Sequence, residues 1–215
     1  MRVVTFNIQH GAGGDASVLG RACAGLAADV LALQEVDVRV PRSRLVDEVA
    51  AVAKATGMHS VFGQTCRVGG VGRYGNALFS RAPMDDVETV RLPRVGAAEP
   101  RGAVLASIDG VTVAATHLSI HQEESAAQLA TLVELVRERP KPWVLLGDLN
   151  RHPDQLDALA GFELVDATEP TFPAHEPVAR IDHIAVVGMR IESVEVLPQQ
   201  PVSDHRPLAA SLSSH

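Results

Sequence analysis

Trp143-Val144-Leu145-Leu146-Gly147-Asp148-Leu149-Asn150 reads as a short buried strand that runs into a glycine and then sets an acid and an amide where the chain leaves its sheet. Strand ends of this kind are where α/β enzymes keep their chemistry. A Gly-Asp pair at a strand end is also a common turn, so the segment does not decide the matter alone. The construction recurs four times. Asn7 follows Val3-Val4-Thr5-Phe6, Glu35 closes Val30-Leu31-Ala32-Leu33-Gln34, His117 follows residues 111–116, and Asp204-His205 precede Arg206-Pro207-Leu208. Five polar termini on five apolar segments predict one site.

Between these segments, residues 17–28, 43–55 and 124–137 carry aliphatic side chains at three- and four-residue spacing with charges between them, the pattern of amphipathic helices. Ser17 is a fitting N-cap for the first, and Gly57 a fitting stop for the second. Asp109-Gly110 between two apolar runs is a hairpin signal, so some strands pair antiparallel. Alternating strands and helices with at least one hairpin predict a layered α/β domain with mixed sheets, spanning residues 1–215 as one domain. Two segments read as loops that could rim a pocket: residues 64–75, with four glycines, and residues 169–180, with three prolines.

Composition narrows the function. Aromatic residues make up 3% of the chain, which predicts a core of small aliphatic side chains and few platforms for stacking bases. Lys and Arg number 19 against 26 Asp and Glu, a formal net charge of −7, the opposite of what an extended polyanion binder carries. A metal centre or a local arginine cluster can still bind one phosphate on an acidic surface. Cys23 and Cys66 form no metal-ligand pair, and no apolar run approaches the roughly 20 residues that span a bilayer. These features predict a soluble, cytoplasmic protein without a membrane span.

In their order, Thr5-Phe6-Asn7, Leu33-Gln34-Glu35, Gly75-Asn76-Ala77-Leu78-Phe79-Ser80-Arg81, Thr116-His117-Leu118, Gly147-Asp148-Leu149-Asn150, Arg180-Ile181-Asp182-His183 and Ser203-Asp204-His205-Arg206-Pro207-Leu208 resemble the motifs of the endonuclease/exonuclease/phosphatase superfamily, the metal-dependent phosphoesterases of DNase I-like fold. The resemblance covers nearly the whole chain. It implies a four-layered α/β sandwich, two packed mixed β-sheets flanked by helices, with the catalytic groups at one end. It also implies Mg²⁺, with Mn²⁺ as the other candidate, held by Glu35 as principal ligand with Asn7 and Asp204 near it, the hard oxygen donors that Mg²⁺ prefers.

The resemblance pairs Asp182 with His205. An unperturbed imidazole is largely neutral at pH 7, which makes His205 the leading general base and leaves Asp148 as the rival base or second metal ligand. His117 is expected to donate a hydrogen bond to a phosphoryl oxygen or a proton to the leaving group, and Asn150 to orient the phosphate or the water. Asn76 is a candidate to contact the phosphate or hold His117. His10 is a candidate for the edge of the site. Arg101 could reach substrate phosphate, although a surface arginine is the simpler reading. His183, next to Asp182 on a strand, faces the other way and packs.

The leading expectation is a Mg²⁺-dependent hydrolase that attacks a small or lipid-like phosphodiester, or a phosphomonoester, directly with water. A DNA or RNA nuclease of the same superfamily is the runner-up. A catalytically idle binding module is a third reading, disfavoured because no ligand or histidine position has been lost.

Overall fold

The computed structural model describes residues 1–12, 15–167 and 169–214. Among these, twelve strands form two six-stranded sheets. The first sheet holds β1 (Arg2–Asn7), β2 (Val30–Val38), β3 (His59–Val68), β4 (Gly72–Ser80), β11 (Met189–Val196) and β12 (Leu208–Ser214), in the order β11-β12-β1-β2-β4-β3. The second holds β5 (Asp85–Arg91), β6 (Gly102–Ile108), β7 (Val111–His117), β8 (Trp143–Asp148), β9 (Glu163–Leu164) and β10 (Asp182–Val187), in the order β5-β6-β7-β8-β10-β9. Each sheet is mixed: β1 runs parallel to β2, and β7 parallel to β8, while their other pairings are antiparallel. Asp109-Gly110 makes the turn of the β6-β7 hairpin, as predicted.

The layers follow from which faces are apolar. Val3, Val30, Ala32 and Leu78 of the first sheet meet Val104, Val113, Val144, Leu146 and Ile184 of the second, so the sheets pack face to face over an aliphatic core. Helices α1 (Ala16–Gly25) and α2 (Glu48–Thr56) cover the outer face of the first sheet through Leu19, Cys23 and Val52 against Phe6, Leu31 and Phe79. Helix α3 (Gln122–Arg137) covers the second through Leu129, Leu132, Val133 and Val136 against Leu105 and Leu145. A central strand covered on both sides reads as a continuous apolar run, as β8 does. Burying each such Val, Leu or Phe is worth about 1.5–3 kcal/mol relative to exposure.

Three sequence expectations are corrected. Helix α1 is capped by Asp15, whose side chain accepts from the Ser17 and Val18 N–H groups, and not by Ser17. Helix α2 begins after Asp47 and not near residue 43, because Asp47 accepts from the Ala50 N–H while residues 41–43 form a separate 3₁₀ turn. Residues 64–75 are no loop: they are mostly the β3-β4 hairpin. No helix among the described residues is long and apolar enough to cross a membrane.

Candidate active site

One rung of the second sheet carries three of the expected groups. His117 at the end of β7 is in register with Asp148 at the end of β8, which is in register with Asp182 at the start of β10. Partners in register present their side chains to the same face. Gly147 lets the rung close up: a Cβ there would lie 2.1 Å from the Thr116 carbonyl oxygen. His117 Nε2 consequently stands 3.4 Å from Asp148 Oδ2.

The first sheet supplies the facing groups. Asn7 ends β1, and its Nδ2 donates to Asp148 Oδ2 and to Glu35 Oε1, both at 3.0 Å, so a single amide bridges two carboxylates across the sheets. Glu35 reaches that position because β2 slips register against β4 between Leu33 and Val36, a β-bulge in which Glu35 takes a left-handed φ of 58°. For a residue other than glycine this conformation costs on the order of 1–3 kcal/mol and persists where the surroundings over-determine it, commonly at functional sites. The segment before β12 brings in His205, whose Nδ1 donates to Asp182 Oδ2 at 2.9 Å and whose Nε2 faces Asp148 Oδ2 at 3.8 Å. Phe172 packs on the His205 ring with centroids 4.7 Å apart, so the 169–180 segment does wall the site.

The buried charges determine each other's protonation. Burial, and then the charge of Asp182, push Asp148 up to about 7. His205 would be pulled down by burial, but the Asp182 charge and hydrogen bond, with Asp148 and Asp204 behind them, carry it up to about 9. The expectation of a largely neutral His205 at pH 7 therefore fails, because it assumed an unperturbed imidazole. His117 moves the other way, well below the usual imidazole range, through burial first and then the neighbouring Arg101 and His205.

The remaining candidates fall into place at different distances. Asn150 orients the turn after β8: its N–H donates to Asp148 Oδ1 and its Nδ2 to the Leu118 carbonyl, both at 3.0 Å. Asn76 is buried, and its side-chain hydrogen bond goes to neither His117 nor the cluster. Its Nδ2 donates at 2.9 Å to the carbonyl of Gly102, the register partner of His117. Arg101 is only 8% exposed, so the surface reading of it is overturned. Asp204 stands one residue away from Asn7: its Oδ2 accepts from Gln9 Nε2 at 2.9 Å, while the Gln9 N–H donates to Asn7 Oδ1 at 3.0 Å. His10 lies outside the cluster and lines a cavity of about 400 Å³ with Arg42, Ser43, Arg44 and Glu48, a cavity whose lining includes none of the cluster residues. His183 is buried away from the site with Nε2 2.8 Å from the Arg151 carbonyl, the packing role expected.

Sequence reasoning missed three contributors. Gln9 links Asn7 to Asp204, Glu99 pairs with Arg101, and the buried Tyr74 lies beside Arg101 and Glu35. Tyr74 flanks a quoted motif and Glu99 stands two residues before Arg101, yet nothing local marks them as part of the site.

Two places offer metal donors. Glu35 and Asp148 present carboxylate oxygens on either side of the Asn7 amide nitrogen, hard donors of the kind Mg²⁺ takes, while Asn7 Oδ1 accepts from the Gln9 N–H. Asp148, Asp182 and His205 present ligand atoms within 4.8 Å of one another. Asp148 is common to both groups; Asp182 is engaged with His205 in the second, and Glu35 with the Asn7 amide in the first.

A family model described as the Endonuclease/Exonuclease/phosphatase family matches residues 4–205. The protein YbhP of Escherichia coli K12 is 32% identical over 163 residues, which is 66% of this chain, and the chain spans about 63% of the length of that relative. Among solved structures, an endonuclease/exonuclease/phosphatase from Beutenbergia cavernae superposes with a TM-score of 0.84 at 24% identity, covering 100% of this chain and 71% of its own. A mannosyl-6-phosphatase from Bacteroides thetaiotaomicron gives 0.76 at 18% identity over 99% of both chains. A 3'-5' exonuclease from Neisseria meningitidis gives 0.70 at 22%, over 99% of this chain and 100% of its own.

Proposed function

The chain belongs to the endonuclease/exonuclease/phosphatase family, and from that premise we propose that it hydrolyses a small or lipid-like phosphodiester, or a phosphomonoester, by Mg²⁺-assisted direct attack of water. The observation that carries the reading is the placing of Asp148. Its Oδ2 is within 3.0 Å of Asn7 Nδ2, 3.4 Å of His117 Nε2 and 3.8 Å of His205 Nε2, a buried carboxylate facing donors from both sheets.

The roles follow from the protonation states. Asp148, raised to about 7, is poised to accept a proton from water near neutral pH, so it replaces His205 as the leading general base. His205, held charged by Asp182, offers its Nε2–H to an oxygen of the phosphoryl group. His117 and Asn150 border the same space from the second sheet. Glu35 and Asn7 would hold the cation, with Asp204 beside them through Gln9. When bound, it would supply a Lewis acid for a phosphoryl oxygen, with Mn²⁺ as the alternative ion.

The preference for a small substrate rests on charge and composition. A net charge of −7 and one Trp and one Tyr leave little to grip a strand. Both cysteines stand free, as suits a reducing cytoplasm. The test is an activity screen over phosphomonoesters, phospholipid headgroup esters, nucleotides and single- and double-stranded DNA, each with Mg²⁺ and with Mn²⁺. Turnover confined to small esters is expected. Turnover of DNA alone moves the reading to a nuclease, and no turnover of any class leaves only the idle binding module.

A further inference from the structure

Arg101 is a buried arginine beside the rung, and a phosphoesterase invites the reading that it binds substrate phosphate. Its contacts say otherwise. Nη1 lies 3.2 Å from His117 Nδ1, on the side of the ring away from Asp148, and the same nitrogen pairs with the carboxylate of Glu99. The residue after it, Gly102, is the register partner of His117, and the Gly102 carbonyl accepts from both Asn76 Nδ2 and Thr116 Oγ1. The backbone that carries Arg101 is thus pinned across both sheets against the strand that carries His117.

We propose that Arg101 is a positioning residue that fixes the tautomer of His117, making it a neutral imidazole with its proton on Nε2, a hydrogen-bond donor to the ester and not an acid. A guanidinium has five N–H donors and no acceptor, and it keeps its proton at any accessible pH. The nitrogen it faces must therefore offer a lone pair, which puts the ring proton on Nε2, the nitrogen turned toward Asp148 Oδ2. Asn150 Nδ2 stands 3.2 Å from Nε2 and would prefer to donate there. It is a neutral amide with an acceptor already in the Leu118 carbonyl at 3.0 Å, so it yields to the contact that carries a full charge. Glu99 balances the guanidinium and is 47% exposed along its side chain, so the pair is anchored at the rim and reaches inward.

This inference rests on the phosphoesterase reading for its chemical meaning, but the tautomer can be measured without metal, substrate or turnover. In ¹⁵N-histidine-labelled, metal-free protein, the ring signals absent from a His117→Gln variant identify His117. The expected result is a bare Nδ1 and a protonated Nε2 across neutral pH. Arg101→Met should abolish that pattern, and Arg101→Lys, which still donates, should preserve it. In turnover, Arg101→Met should lower kcat about tenfold with KM within about twofold, because orientation of a hydrogen-bond donor is lost and not substrate contact. A proton on Nδ1 in the wild type, an unchanged tautomer in Arg101→Met, or a loss confined to KM each overturns the proposal. If Arg101→Met does not fold, the wild-type tautomer and the Lys variant still decide it.

Discussion

Replacing Asp182 with Asn removes the charge that holds a proton on His205. Asp182 is fully buried and His205 is 5% exposed, so water screens the pair little. Burial alone would drive the ring below 6.5, yet its pKa sits at about 9. The difference is a preference for the charged ring of roughly 3 kcal/mol, at about 1.4 kcal/mol per pH unit, and Asp182 supplies the largest favourable share. Because the folded value lies above the unfolded one, this stabilisation is fully present below pH 6.5 and is lost as pH rises through about 9. The Asp182→Asn change should therefore open a stability gap from wild type that is widest below pH 6.5 and narrows toward pH 9. Urea unfolding of metal-free protein across that range measures the gap. In turnover, His205→Ala should cost more kcat than Asp182→Asn, and the double variant should lose less than the two single losses combined, since the carboxylate works through the ring. A gap that ignores pH, or strictly additive kinetic losses, refutes the dyad.

Three further outcomes are expected. Glu35→Gln should shift the Mg²⁺ dependence to higher concentration, because an anionic ligand is lost where Mg²⁺ takes few protein contacts; an unchanged metal titration at unchanged rate would remove Glu35 from the metal site. His183, buried against the Arg151 carbonyl, is pushed down to about 4 by burial, so its folded value lies below the unfolded one and stability should be lost as pH falls from 6.5 toward 4, by up to roughly 3 kcal/mol. His183→Gln should flatten that acid limb in equilibrium unfolding, and an identical limb in the variant speaks against the assignment. Cleavage of plasmid DNA should be slower, as kcat/KM, than that of the best small ester and only weakly sensitive to salt; efficient plasmid cutting that collapses between low and physiological salt reverses the substrate ranking.

The sequence displayed the site better than its surroundings. Asn7, Glu35, His117 and Asp148 each follow or close an apolar run and His205 precedes one, and strand ends are constrained enough that such residues converge. The glycines of residues 64–75 misled because glycine marks both turns and close backbone approach. A Cβ on Gly75 would lie 2.0 Å from the Gly63 carbonyl oxygen, so that glycine serves a tight, register-shifted hairpin. Ser17 lost the capping position to the carboxylate of Asp15 nearby, and the cap at Asp47 starts the second helix later than residue 43. Arg101 was unreadable for another reason: its partner is an imidazole on the neighbouring strand, and the residues next to it in sequence carry no record of what a strand pairing places opposite it. The elevated pKa of His205 was hidden likewise, since it depends on how closely two carboxylates are enclosed with it.

Asn7 and Glu35 ride on one sheet, and His117, Asp148 and Asp182 on the other. Between the sheets lies the aliphatic layer of Val3, Val30, Ala32 and Leu78 against Val104, Val144 and Leu146. That filling is a spacer as well as a source of stability, and its thickness sets the gap across which the amide of Asn7 reaches Asp148. Misplacing reacting groups by about 1 Å can cost on the order of a hundredfold in rate. A methyl group added or removed in this layer, far from any reacting atom, thus acts as a shim on the active site, and the choice among Ala, Val and Leu there is a choice of working clearance.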